Sequence, residues 1–149
     1  FRKKNIPVEL YFIPAGAYTD FILKQYEYKN NLKSIKAEAG EYVIDAGGCW
    51  GDTALYFSNE VGEEGNVFSY EFILSNIEIF KKNLALNPLL AKRMSLIDNP
   101  VWEISGVKMH YFDNGPGSKV FMNKKEKCNG EAQSLSIDDL VNKKKYSQN

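Results

Sequence analysis

The chain has 149 residues, with 19 Lys+Arg against 19 Asp+Glu, 44% hydrophobic and 26% charged. That composition specifies one globular domain and excludes a disordered polyelectrolyte, and the balanced charge offers no overall field to gather nucleic acid. No apolar stretch approaches the ~20 residues that span a bilayer, so no membrane partner is expected, and Cys49 and Cys128, far apart and unpaired in spacing, suggest neither zinc nor a disulfide framework but a reducing cytoplasm.

In chain order, residues 18–29 read as a helix capped by Thr19 or Asp20, with Phe21, Ile22, Leu23 and Tyr26 on its apolar side. After Gly40, the run Tyr42, Val43, Ile44, Asp45, Ala46 reads as a fully buried strand closed by Gly47 and Gly48. A helix follows, with Asp52 and Thr53 placed to accept hydrogen bonds from its free N–H groups and Gly62 to end it. Residues 66–72 form the next strand, reached by a connection long enough for a right-handed crossover, so parallel pairing is expected. The following helix has Ser75 and Glu78 as a capping box and stops at Asn87 and Pro88. Residues 94–98 are a third strand. Residues 107–112 and 119–122 read as a hairpin around Asn114, Gly115, Pro116 and Gly117, residues 124–127 as a lysine-rich loop, and Ser136 with Asp139 as the cap of a short helical turn.

The βαβαβ order predicts an α/β doubly wound sheet with helices on both faces. A further strand should lie beside residues 42–46, and residues 137–149 offer no strand-length apolar run, so the C-terminal half of the sheet is expected to be missing from this sequence. The expected organisation is an N-terminal helical and extended segment, 1–40, followed by a partial cofactor-binding domain, 41–149.

The chemistry concentrates at the turn from Asp45 to Thr53. Glycines there let a ligand lie against the backbone, and the helix start presents free N–H groups. Glu71, at the end of the next parallel strand, is placed to accept hydrogen bonds from the hydroxyls of a ribose. The turn lacks the Gly-x-Gly-x-x-Gly spacing of a nicotinamide dinucleotide site. Its carboxylates, Asp45 and Asp52, disfavour two phosphates and suit a cation-bearing cofactor such as S-adenosyl-L-methionine, whose ammonium they can neutralise.

The segments 43–53, 70–72 and 83–88, and more loosely 99–103, 115–118 and 135–140, together resemble FkbM-type methyltransferases, class I enzymes dependent on S-adenosyl-L-methionine. The resemblance implies that Asp45, Gly47, Gly48, Cys49, Gly51, Asp52 and Thr53 surround the methionine portion. It further implies that Glu71 holds the ribose, Phe72 covers one adenine face, and the segment from Asn99 to Val101 meets the adenine edge. It implies O-methylation of a hydroxyl on a sugar, glycan or other small molecule; the catalytic residue and the oligomeric state are left open. Two rival readings remain: a nicotinamide-dependent oxidoreductase domain and a non-catalytic interaction module.

Other residues invite blander readings. Cys49 stands where the wider class often has glycine and reads as a packing residue, not a nucleophile. His110 sits in an ordinary strand pattern, Asp138 and Asp139 favour a helix start, and the lysine runs, including Arg2-Lys3-Lys4 and Lys143-Lys144-Lys145, read as solvated faces. Trp50 could cover the core or a ligand.

Overall fold

Three parallel strands carry the structure, and the side chains on one of their faces dictate where the helices go. The computed structural model of the protein describes residues 6–146. Strands β3 (Tyr42–Ala46), β4 (Asn66–Tyr70) and β5 (Met94–Ile97) lie side by side in that order, with Asp45 opposite Ser69 and Ala46 opposite Tyr70. They are preceded by α1 (Pro14–Ala17), which runs straight into one π-helical turn, Tyr18–Ile22, and by a small antiparallel ribbon, β1 (Tyr28–Lys29) with β2 (Ser34–Ile35).

The crossovers are helical: α2 (Asp52–Val61) joins β3 to β4, and α3 (Leu74–Leu86) with the short α4 (Pro88–Ala91) joins β4 to β5. Strand alternation turns Val43, Val67, Met94 and Leu96 toward these helices, where they meet Ala54, Val61, Phe80 and Leu84 in one apolar cluster. Tyr70 points the other way, and its hydroxyl donates to the Ser136 carbonyl just before α5 (Ile137–Tyr146). The expected α/β architecture, parallel pairing and Gly62 stop are all present.

A second, antiparallel sheet has the order β7 (Lys119–Phe121), β6 (Lys108–Phe112), β8 (Gly130–Gln133). The hairpin of β6 and β7 matches expectation; β8 was not expected. Its Gly-Glu-Ala-Gln sequence has no apolar alternation, yet it pairs with β6, its Gly130 lies flat on the Tyr111 ring, and Glu131 meets Lys108 at 2.8 Å.

Four local expectations are corrected. The helix expected over residues 18–29 ends at Ile22, because Lys24 takes a left-handed φ of 52° and the chain then folds Tyr26 across Tyr56 and Phe57. Thr19 is inside that helix, donating back to the carbonyls of Ala15 and Gly16, so it caps nothing. Strand β3 has no partner on its outer side among the described residues, as expected where the next strand is missing, but it is not the fully buried strand expected from its composition: Tyr42 is 71% exposed and only Asp45 is buried. The Ser75–Glu78 capping box is absent, since α3 starts at Leu74 and Ser75 donates its hydroxyl to Asp113 at the end of β6. The Ser136 cap is present, accepting the Asp139 N–H at 3.2 Å, and the turn it starts continues for the 10 residues of α5. The Arg2-Lys3-Lys4 run and the side chains of Lys143, Lys144 and Lys145 lie outside the described residues.

Candidate functional site

The parallel register brings the ends of β3 and β4 together, and with them the glycine turn and Glu71. The N–H groups of Gly47 and Gly48 both donate to the Tyr70 carbonyl, at 3.0 and 2.9 Å, so the turn folds back over the end of β4. The Cys49 backbone N–H in turn reaches the Glu71 carboxylate. Above this junction lies a cavity of about 480 Å³, walled by Gly47, Cys49, Glu71, Phe72, the segment from Asn99 to Trp102, and the β6–β7 hairpin with its loop at Gly115 and Pro116.

The three turn glycines have different jobs. A Cβ built on Gly47, at φ 99°, meets nothing within 4 Å, so this glycine opens a backbone surface to the cavity. Gly48 and Gly51 face inward: a Cβ on Gly48 would stand 2.0 Å from Ser69 Oγ, and one on Gly51 would stand 3.1 Å from the Phe80 ring. Gly51 also takes the N-cap position of α2, at φ 83°. Thr53 therefore does not cap. Its hydroxyl donates to Asp45 Oδ2 at 3.0 Å, where Ser69 Oγ also donates at 2.7 Å. Asp45 is thus a strut tying β3, β4 and α2 beneath the turn. Burial raises its pKa, against the two hydroxyl donors that lower it.

Of the residues singled out from sequence, Gly47, Cys49, Glu71, Phe72, Asn99 and Val101 line the cavity; Asp45, Gly48, Gly51, Asp52 and Thr53 do not. Asp52 lies toward α1, its carboxyl pushed up by burial and then by the Asp20 charge, and Asp20 is itself buried with Gln25 as its partner. Cys49 has φ 46°, the left-handed conformation that explains a glycine preference at such a position. Burial, then the Asp52 and Glu71 charges, push its thiol up to about 11, which agrees with a packing role.

Glu71 is 5% exposed and heavily engaged: Oε1 accepts the N–H groups of Phe72 and Ile73, each at 2.7 Å, and Oε2 accepts Asn76 Nδ2 at 3.2 Å. Burial raises its pKa and these donors oppose the rise. Phe72 meets Tyr111 edge-on at 5.4 Å. Asn99 Nδ2 donates to the Gln133 carbonyl at 2.9 Å, and Val101 bridges to Leu135, so this wall is pinned to the segment between β8 and α5.

Sequence reasoning missed the asparagines. Buried Asn83 grips Tyr11 through both its N–H (2.7 Å) and its carbonyl (3.0 Å), and donates to the Trp50 carbonyl in the glycine turn at 2.8 Å. Asn87 pairs in the same way with Glu9, and Asn59 accepts the Ile6 N–H. The leading segment is therefore fastened to α2 and α3 by side chains that imitate a neighbouring strand. The available signal was asparagine at positions 76, 83 and 87, in step with the buried Ile77 and Phe80 face of α3. A second hollow, about 630 Å³, lies between that segment and α2; Phe21 and Ile22 line it, and none of the residues expected to meet a cofactor does.

Among the described residues no group of His, Cys, Asp and Glu is arranged to hold a metal, and no helix is long and apolar enough to cross a membrane. His110 stands in β6 with Glu131 at 3.9 Å, as a strand residue.

No family model matches this chain, and no curated protein matches it. Among solved structures it is similar to a SAM-dependent O-methyltransferase from Thermotoga maritima (19% identity, TM-score 0.45, 66% of this chain and 34% of that one). It is similar also to fibrillarin from Aeropyrum pernix with natively bound S-adenosyl-L-methionine (16%, 0.43, 67% and 43%). A third is a protein-L-isoaspartate O-methyltransferase (23%, 0.39, 49% and 27%). The chain spans between 27% and 43% of the length of these three structures.

Proposed function

We propose that the cavity over the β3 and β4 ends receives S-adenosyl-L-methionine, and that the chain belongs to a methyltransferase of FkbM type acting on a hydroxyl of a sugar or other small molecule. One observation carries the reading. Four of the separate segments on which the resemblance rests, at Gly47, at Glu71 and Phe72, at Asn99 to Val101, and at Gly115 to Ser118, all contribute to the wall of this one cavity. The division into a segment 1–40 and a cofactor-binding domain 41–149 forms part of the same proposal.

The residues present fit the cofactor. Gly47 offers bare backbone, a carboxylate and a carboxamide stand together at Glu71 and Asn76, and the remaining wall of Phe72, Pro100, Val101 and Met109 is apolar, as a purine requires. Among the described residues no cationic side chain lines it, which favours an adenosyl sulfonium over a dinucleotide pyrophosphate. When bound, S-adenosyl-L-methionine supplies an electrophilic methyl group. The contribution of this chain is to grip the ribose through Glu71, to hold the base between Phe72 and Val101, and to keep water from the apolar wall.

The test is calorimetric titration with S-adenosyl-L-homocysteine and, separately, NAD. S-adenosyl-L-homocysteine is expected to bind, and Glu71→Gln to weaken it by ~10-fold or more, since a hydrogen bond to a charged group contributes ~1.5–3 kcal/mol. Tighter binding of NAD would replace this reading with the oxidoreductase one; binding of neither would favour the non-catalytic module.

A further inference from the structure

The Glu71 carboxylate has too few open positions to serve both hydroxyls of a ribose. Oε1 already accepts from Phe72 and Ile73 at 2.7 Å, which uses both lone-pair directions of that oxygen, while Oε2 accepts from Asn76 Nδ2 at 3.2 Å and keeps one direction for a ligand hydroxyl. A vicinal diol therefore needs another acceptor.

Asn76 provides one. Its side chain, on the first turn of α3, is 3% exposed and lines the same cavity, yet its Oδ1 has no hydrogen-bond partner. The amide cannot be turned round to remove the anomaly. Nδ2 faces Glu71 Oε2 at 3.2 Å and the Gly115 carbonyl at 3.4 Å, both of which can only accept. Exchanging the two amide atoms would set oxygen against oxygen. Oδ1 is thus fixed as an unused acceptor beside the carboxylate. Oδ1 is itself buried, and the backbone of Gly115 is what covers it: a Cβ built on that glycine would stand 3.9 Å from Oδ1 with no other atom within 4 Å, so a small shift of the Gly115 loop opens the oxygen to the cavity. Native structures pair nearly all buried polar groups, and an orphan on a cavity wall marks a place where something else completes the bond.

We infer that Asn76 Oδ1 accepts a hydrogen bond from one ribose hydroxyl of the bound ligand, so that recognition of the diol is shared between Glu71 and Asn76. The inference rests on the adenosyl reading above and adds a specificity-determining residue to it. Asn76 does so as part of a fixed pair: its amide N–H groups hold the Glu71 carboxylate and the Gly115 loop, and the same planar group presents Oδ1 to the ligand.

The test crosses a protein change with a ligand change, read by calorimetry on the full chain. S-adenosyl-L-homocysteine and its 2′-deoxy and 3′-deoxy analogues are titrated into wild type and Asn76→Ala, with Asn76→Ser replacing the alanine variant if circular dichroism shows that it does not fold. On wild type, each deoxy analogue should bind more weakly than the parent. On the variant, the parent should bind roughly tenfold more weakly, and one analogue should lose nothing further. A purely structural Asn76 would weaken the parent and both analogues by one common factor, and that result overturns the inference while leaving the adenosyl reading intact. Wild type that binds no S-adenosyl-L-homocysteine overturns both.

Discussion

Replacing Gly48 by alanine tests whether the turn is shaped by packing beneath it or by the ligand above it. The added Cβ would stand 2.0 Å from Ser69 Oγ and 2.9 Å from Phe80 Cε2. To regain ordinary contact at 3.4 Å the hydroxyl must retreat by about 1.4 Å, which breaks its 2.7 Å hydrogen bond to Asp45. Losing a bond to that carboxyl costs ~1.5–3 kcal/mol, and overpacking against a fully buried Phe80 adds ~1–3 kcal/mol. The expected destabilisation is thus ~3–5 kcal/mol, a large share of the ~5–15 kcal/mol that holds a domain together. Urea denaturation measures it, and Ser69→Ala supplies the control. With the hydroxyl already gone, the Gly48→Ala cost should fall to the Phe80 part alone, a coupling of ~1.5–3 kcal/mol between the two sites. An equal cost in both backgrounds, or a Gly48→Ala variant as stable as wild type, would refute the assignment of this glycine to packing.

Gly47→Ala should behave oppositely: with open space at its Cβ but φ 99°, it should cost ~1–2 kcal/mol of stability while impairing S-adenosyl-L-homocysteine binding far more, as parallel denaturation and calorimetry would show. Asn83→Leu removes three hydrogen bonds and should cost ~2–4 kcal/mol, with faster amide exchange at Tyr11; unchanged exchange there would contradict the clamp. Burial holds the folded Asp45 pKa above the unfolded value of ~3.9, so the folded state keeps that proton longer and its contribution weakens as pH rises through the interval above that value. Wild type should therefore lose stability relative to Asp45→Asn from about pH 4 upward, and a difference independent of pH would count against it. With its thiol pushed up to about 11, Cys49 should alkylate slowly at pH 8 and faster as pH approaches that value, followed by mass spectrometry.

What could be read from sequence was what local rules decide. The β3 turn with Gly47, the parallel β4 ending at Glu71, and the Ser136 cap each follow from residues within one or two turns of chain. What could not be read came from partners far away in sequence. Ser75 was claimed by Asp113, 38 residues on; Thr53 by Asp45 across the turn; and β8 owes its place to β6, not to its own composition. The candidate site divides along the same line. Gly47 and Glu71 were visible as chain features, whereas the inward duty of Gly48 depends on where Ser69 and Phe80 pack, and the orphan oxygen of Asn76 depends on Glu71 and Gly115 together.

The clamp made by Asn59, Asn83 and Asn87 reads main chain only. It engages the N–H of Ile6 and both main-chain groups of Glu9 and Tyr11, so the identity of those side chains is free to drift while proline at positions 9 and 11 is forbidden. One carboxamide binds Tyr11 and Trp50 together, so the leading segment and the bend that carries Gly47 share a single anchor on α3. Loss of the Tyr11 partner would leave the oxygen and one N–H of a buried carboxamide unpaired next to that turn.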